Sequence, residues 1–195
     1  MRIISGKARG VRLSQFKIKT IRPTLDRVKE SLFNQIQPHV KGSYFLDWFA
    51  GTGNIGLEAW SRGATKVVFV ENNLNAQKTI LNNIAKCKAD KGIQIFQKDA
   101  FQALDLLEKK GSQLDIIYVD PPFNLDLHNT CIQALSESSI IRESTMIIVE
   151  HHRKTILKKN YGKMLLGRQR LLGDTGLSFY KPQPFLTSNP DFEKS

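Results

Sequence analysis

The chain predicts an α/β fold of Rossmann type, a mostly parallel sheet with helices on both faces, and three observations carry that reading. Short apolar runs of strand length alternate with stretches of helical period, the pattern of successive βαβ units. Four of those runs each deliver a carboxylate at the carboxyl edge, Asp47, Glu71, Asp99 and Asp120, so one edge of the sheet collects acids. A turn with glycines at 51, 53 and 56 joins the first run to the first crossover helix.

The elements follow in order. Between Met1 and Lys29, nine cations (Arg2, Lys7, Arg9, Arg12, Lys17, Lys19, Arg22, Arg27, Lys29) stand against one acid, Asp26. That is the footprint of a phosphate-binding arm. Alternation around Gly6 and Gly10 predicts a short hairpin over residues 3–17, extended over the ligand-binding edge of the sheet. Thr24 caps the next helix with Asp26 in its first turn; Leu25, Val28, Leu32 and Ile36 form its apolar stripe, Arg27 and Lys29 stay off it, and Pro38 ends it. Arg2, Lys7, Arg9, Arg12, Arg22, Thr24 and Arg27 are the candidates for substrate contact.

Strands are expected over 45–49, 66–70, 92–98, 116–119 and 146–149. The crossover helices between them carry Ile55 onward, then Leu74, Ile80, Leu81 and Ile84, then Phe101, Leu104 and Leu107, with Cys131 on a further core-facing helix. The last strands, 163–171 and 177–180, flank a turn at 173–176, and residues 181–195, with three prolines, read as a loose tail. The organisation is thus a basic extension over 1–40, one catalytic domain over 41–180 and the tail.

The chemistry is read from two motifs. Gly51 and Gly53 let the backbone turn and approach a ligand, and Glu71, twenty positions after Gly51, is placed for ribose hydroxyls. Asp120-Pro121-Pro122-Phe123 makes a pocket for a planar amine: Asp120 and the Pro121 carbonyl accept its hydrogens, the prolines withhold competing donors, and Phe123 offers a stacking face. A dinucleotide explains the glycines but not this tetrapeptide. S-adenosylmethionine explains both, with Glu71 on the ribose, Asp99 on the adenine amine, Asp47 and the loop on the methionine portion, and an acid-lined cleft for the sulfonium charge.

At 195 residues, 41% apolar and 24% charged, the chain suits one enzyme domain without a large recognition module, and its net charge of +11 favours a nucleic-acid partner. Cys87 and Cys131 lack metal spacing, and His151-His152 at a strand end point to opposite sides, so no metal is expected. No apolar run is long enough to span a membrane and no signal peptide is read at Met1-Arg2-Ile3-Ile4-Ser5, so a cytoplasmic monomer is expected.

Several separated segments together resemble the bacterial RsmD family of methyltransferases, over about residues 1–180. They are 1–6 with Ala8-Arg9-Gly10, then Arg22-Pro23-Thr24, Asp26-Arg27-Val28 and Leu32-Phe33-Asn34, then Asp47-Trp48-Phe49-Ala50-Gly51-Thr52-Gly53, Val68-Phe69-Val70-Glu71, Asp120-Pro121-Pro122-Phe123, Val149-Glu150-His151 and Leu177-Ser178-Phe179-Tyr180. The family more often has leucine at 48, serine at 52 and charged residues at 72–73, where this chain has Asn72-Asn73. The resemblance implies a class I methyltransferase fold with a seven-stranded sheet and a final antiparallel strand. It also implies S-adenosylmethionine-dependent methylation of guanine N2 in small-subunit (16S) ribosomal RNA, in an assembled or assembling particle, by direct in-line transfer. The alternatives are an adenine-N6 DNA methyltransferase, disfavoured by the lack of room for a sequence-reading domain, and a catalytically idle RNA-binding protein, disfavoured by the intact motifs. A glutamine-modifying protein methyltransferase would usually carry Asn in place of Asp120 and leave the basic arm unexplained.

Overall fold

The computed structural model describes residues 1–15, 26–122 and 127–183. The described elements are α1 (Asp26–Val40), β1 (Tyr44–Trp48), α2 (Asn54–Ser61), β2 (Lys66–Val70), α3 (Leu74–Cys87), β3 (Ile93–Phe96), α4 (Ala100–Lys109), β4 (Leu114–Val119), α5 (Leu127–Glu137), β5 (Ile141–His152), β6 (Asn160–Tyr161), β7 (Met164–Leu172) and β8 (Thr175–Pro182). The sheet order is β3-β2-β1-β4-β5-β8-β7-β6. β3 to β5 pair in parallel, and β8, β7 and β6 continue the sheet antiparallel, so the fold is the expected Rossmann-like one.

The central strands are apolar on both sides because both sides are covered. Phe45, Val67, Phe69, Ile116, Tyr118 and Ile148 join one core with α1, α2 and α3. Leu46, Trp48, Val68, Ile117, Val119 and Ile147 join a second core with α4 and α5. The chain switches faces between β1 and β4, the position at which open α/β sheets bind ligands.

Five expectations are corrected. Eight strands are present rather than seven, the additional one being β6 with two residues. β5 begins at Ile141 rather than 146, because Thr145 Oγ1 accepts from Arg142 N at 3.0 Å and donates to Leu114 O at 2.6 Å, stitching an exposed polar segment that carries no apolar signal to β4. Pro38 lies inside α1 instead of ending it; the helix stops at Val40, before Gly42 with φ 81°. Lys181 and Pro182 belong to β8, leaving the tail expectation for residues 184–195 outside the described residues. On α3, Leu74 and Leu81 face solvent, and the buried line is Ala76, Gln77, Ile80, Asn83 and Cys87. Thr24, the expected cap of α1, lies outside the described residues.

The N-terminal segment is fastened to α2. A single antiparallel bridge, Arg2 with Arg12, and a turn over 5–10 make the expected hairpin. Glu58, fully buried, accepts from Ile4 N at 2.8 Å and Ser5 N at 3.0 Å and pairs with Lys29 and Arg62. Ser61 takes Lys7 N on its carbonyl and Ala8 N on its hydroxyl. Lys29 is therefore wholly buried, donating to Arg2 O and Asn54 Oδ1, and is withdrawn from the phosphate-binding set. Its charge hid a position that lies on the buried side of α1 between Val28 and Leu32. No helix among the described residues is long and apolar enough to cross a membrane.

Candidate active site

The carboxyl ends of β1, β2 and β3 surround an open cleft lined by Phe49, Val70, Glu71, Asn72, Lys98, Asp99 and Ala100. Phe49 opens the loop that follows β1. Gly51 and Gly53 hold φ of 55° and 74°, in the left-handed region that disfavours a side chain. A Cβ on Gly51 would meet nothing within 4 Å, so the loop presents bare backbone to open space, whereas one on Gly56 would lie 2.3 Å from Phe69 Cε1. The three glycines thus divide between approach to a ligand and packing of α2 on β2. Phe49, with φ 74°, adopts the same unfavourable region without being glycine, and it lines the cleft.

The acids come together as the strand ends dictate. Asp47 is buried and accepts from Gly56 N at 2.8 Å; burial raises its pKa to about 8, against the Gly56 bond and aided by the charge of Glu71. Glu71 accepts from Gly51 N and Asn73 N, each at 2.8 Å, so it holds the loop's shape as well as facing the cleft. Asp99 accepts from Phe101 N at 2.9 Å as the N-cap of α4, and Asn73 caps α3 in the same way. Asp120 follows β4 across the switch point from Asp47, its N–H aimed at Trp48 O at 3.4 Å. Its carboxyl is held well above the usual carboxylate range by burial first, then by the charges of Glu150 and Asp47. Pro121 is buried and Pro122 exposed.

Glu150 and Tyr118 complete this acid group and were given no role in the sequence reading. Tyr118 donates its hydroxyl to Glu150 Oε2 in a buried hydrogen bond, and burial followed by the Glu150 charge raises its pKa well above that of an ordinary tyrosine. The signal was present, since β5 carries a carboxylate near its carboxyl end as the four earlier strands do. Phe49 and Lys98 were likewise missed, the first because a positive φ on a phenylalanine has no mark in sequence.

The remaining candidates divide. Arg2, Arg9, Arg12 and Arg27 are exposed, and Lys7 stacks its ammonium 3.5 Å from the Trp60 ring centroid. Phe123, Arg22 and Thr24 lie outside the described residues. The hairpin runs along α2, with Met1 Sδ near Thr52 Oγ1 (3.7 Å) and Lys7 and Ala8 at Ser61. Its tip is thus carried about 12 Å down the helix, away from the cleft, rather than over it. The anchors at Glu58 and Ser61 are the reason. At its other end, Ser14 meets Asn83, which also donates to the Thr52 carbonyl at 2.9 Å, so this end is linked to the glycine loop through Asn83.

Comparisons place this geometry among known proteins. The family model described as Conserved hypothetical protein 95 matches residues 1–181. The chain is 37% identical to the Ribosomal RNA small subunit methyltransferase D of Haemophilus influenzae, over 77% of this chain and 78% of that one. It is 31% identical to the protein of the same name in Escherichia coli K12, over 98% and 94%. The solved structure of yhhF from Escherichia coli superposes with a TM-score of 0.81 at 30% identity, covering 94% of this chain and 98% of that one.

Proposed function

The chain belongs to the Conserved hypothetical protein 95 family, and from that premise we propose that it methylates N2 of one guanine in small-subunit (16S) ribosomal RNA, using S-adenosylmethionine, in the cytoplasm and as a monomer. The observation that carries the reading is the acid group at the switch point, in which half-buried Asp120, at the mouth of a Pro-Pro turn, stands beside buried Asp47 and Glu150.

The residues suit the cofactor. Gly51 leaves open a space that a Cβ would begin to fill, and Asn54 Nδ2, buried in the first turn of α2, is a donor without a partner among the described residues. Glu71 would hold the ribose, Asp99 the adenine, and Asp47 with the loop at Gly51 and Gly53 the methionine portion. When bound, S-adenosylmethionine supplies an electrophilic methyl group on a cationic sulfur. Asp120 and the Pro121 carbonyl take the two hydrogens of the guanine amine, so that its lone pair is turned outward, and Phe123 stacks on the flipped base. Asp120's raised proton affinity also suits it to receive the proton released as the amine is methylated. Nucleoside mass spectrometry of small-subunit RNA from cells with and without the gene tests the function: N2-methylguanosine should be lost with the gene, and an unchanged profile would refute it.

Gly53→Val and Glu71→Ala are each expected to weaken S-adenosylmethionine binding in calorimetric titration. Valine at Gly53 would take up a left-handed φ of 74° and press on Phe69 and Ile80 at 3.3–3.5 Å. Alanine at Glu71 frees the Gly51 and Asn73 amides and removes the ribose acceptor. Unchanged affinity in both variants would remove the cofactor assignment.

The acids also set a pH dependence. Asp47 titrates near 8 in the ligand-free fold and near 3.9 when unfolded, so the folded chain binds more protons between the two and its stability falls as pH rises from about 4 to about 8. A cation in the cleft favours the ionised carboxylates. Affinity for S-adenosylmethionine relative to S-adenosylhomocysteine, which lacks the sulfonium charge, should therefore rise with pH and level off above about pH 8. Titrations of both ligands across this range would show a constant ratio if the carboxylates lie far from the sulfonium.

A further inference from the structure

The hairpin tip, with Lys7 and Arg9, is fastened at the far end of α2, which leaves only Arg2 and Arg12 of the hairpin's cations on the side of the glycine loop, so phosphates beside a base held at Asp120 need further cations. The need is sharpened by Asp47, Asp120 and Glu150, whose ionised forms repel a polyanion.

The far half of the sheet supplies them. β5 runs parallel to β4, β8 antiparallel to β5 and β7 antiparallel to β8, so β5 and β7 both point toward the active edge. Glu150, Leu177 and Arg170 form one row across these strands. Arg170 therefore starts about 10 Å from Glu150, two strand spacings away. Arg168, two residues earlier, is committed to the fold, with its guanidinium 4.5 Å from the Phe179 ring centroid and a bond to Gln35 O of α1. That contact puts Arg170 on the same side of the sheet, nearer the active edge, where α1 begins with exposed Arg27 on the line of Ser31 and Gln35. At the end of β5, Arg153 and Lys154 are exposed, and Arg153 N donates to Asp174 O at 2.8 Å, which ties this turn to the turn between β7 and β8. Asp26 and Asp174 are the exposed acids nearest these cations in sequence, yet none of the four cations is in an ion pair among the described residues.

We propose that Arg153, Lys154 and Arg170, with Arg27, form a contact surface for the RNA phosphates flanking the target nucleotide, distinct from the N-terminal hairpin. Cations from three elements, placed beside an acid-lined pocket and not neutralised by partners, suit a chain of phosphates rather than a single small anion. The proposal rests on the reading of small-subunit ribosomal RNA as substrate.

The test is the triple variant Arg153→Gln, Lys154→Gln and Arg170→Gln, whose exposed positions should leave thermal unfolding unchanged. Binding to small-subunit particles, measured by filter retention across a salt series, should weaken. The slope of log K against log salt should fall by about 0.7 for each single-strand phosphate no longer neutralised, about 2 in all. The KM for particles should rise while S-adenosylhomocysteine affinity stays at the wild-type value. A triple variant with the wild-type slope and KM, while the wild type binds and methylates particles, would overturn this surface alone. Loss of cofactor affinity in the variant would overturn it too, by showing a structural role. A wild-type protein that neither binds nor methylates small-subunit RNA would overturn the underlying reading and this surface with it.

Discussion

Asp120→Ala is expected to lower methyl transfer at saturating RNA by about 10²–10³, the effect of removing one preorganised group that acts on the reacting centre. Cofactor affinity should stay within a few-fold, because Asp47, Glu71 and Asp99 lie on other strands and keep their backbone partners. Asp120→Asn separates the roles further, since it keeps one acceptor but adds donors facing the amine. Its turnover should fall as well, with less disturbance of shape. Single-turnover kinetics on small-subunit particles, with calorimetry for the cofactor, would measure both variants. Near-wild-type turnover in Asp120→Ala would show that the amine is held elsewhere.

Glu58→Ala is expected to destabilise the fold by about 3–5 kcal/mol, the range for removing one partner of a buried ion pair. Lys29 and Glu58 are both fully buried, 3.3 Å apart, and burial already lowers the Lys29 pKa against the opposing effect of Glu58. Without Glu58, the Lys29 ammonium, Ile4 N and Ser5 N lose an acceptor at once. The double change Lys29→Met with Glu58→Leu should recover part of the loss, because it leaves no buried charge unpaired. Urea unfolding of the wild type and these variants checks this. A single variant as stable as the wild type would mean that the N-terminal segment is held without the pair.

The parallel half of the fold was legible because its strands are buried on both faces. Runs such as Val67-Val68-Phe69-Val70 and Ile116-Ile117-Tyr118-Val119 leave little alternative, and the carboxylates that end them mark one edge. What sequence hid was long-range compensation. Lys29 looked like a solvated cation because its partner, Glu58, lies on another helix and its other acceptors are Arg2 O and Asn54 Oδ1. Asn83 is fully buried and bonded to Ser14 and Thr52, contacts that no local pattern marks. The first half of β5 is held by Thr145 rather than by apolar packing, so no hydrophobic period announced it. In the site, the glycine loop and Asp120 were readable from local spacing, whereas the grouping of Glu150 and Tyr118 with Asp120 depends on the pairing of β5 with β4. The course of the hairpin could not be read at all, since the tip's direction is fixed by Glu58 and Ser61, more than fifty residues away.

The most direct measurement is reconstitution. Purified protein, small-subunit particles from cells lacking the gene, and S-adenosylmethionine with an isotopically labelled methyl group should yield label in N2-methylguanosine, approaching one per particle, as read by nucleoside mass spectrometry. The same mixture with Asp120→Ala should yield almost none. Label in N6-methyladenosine instead, or no transfer to RNA by a protein that binds the cofactor, would contradict the assignment of this site to guanine N2.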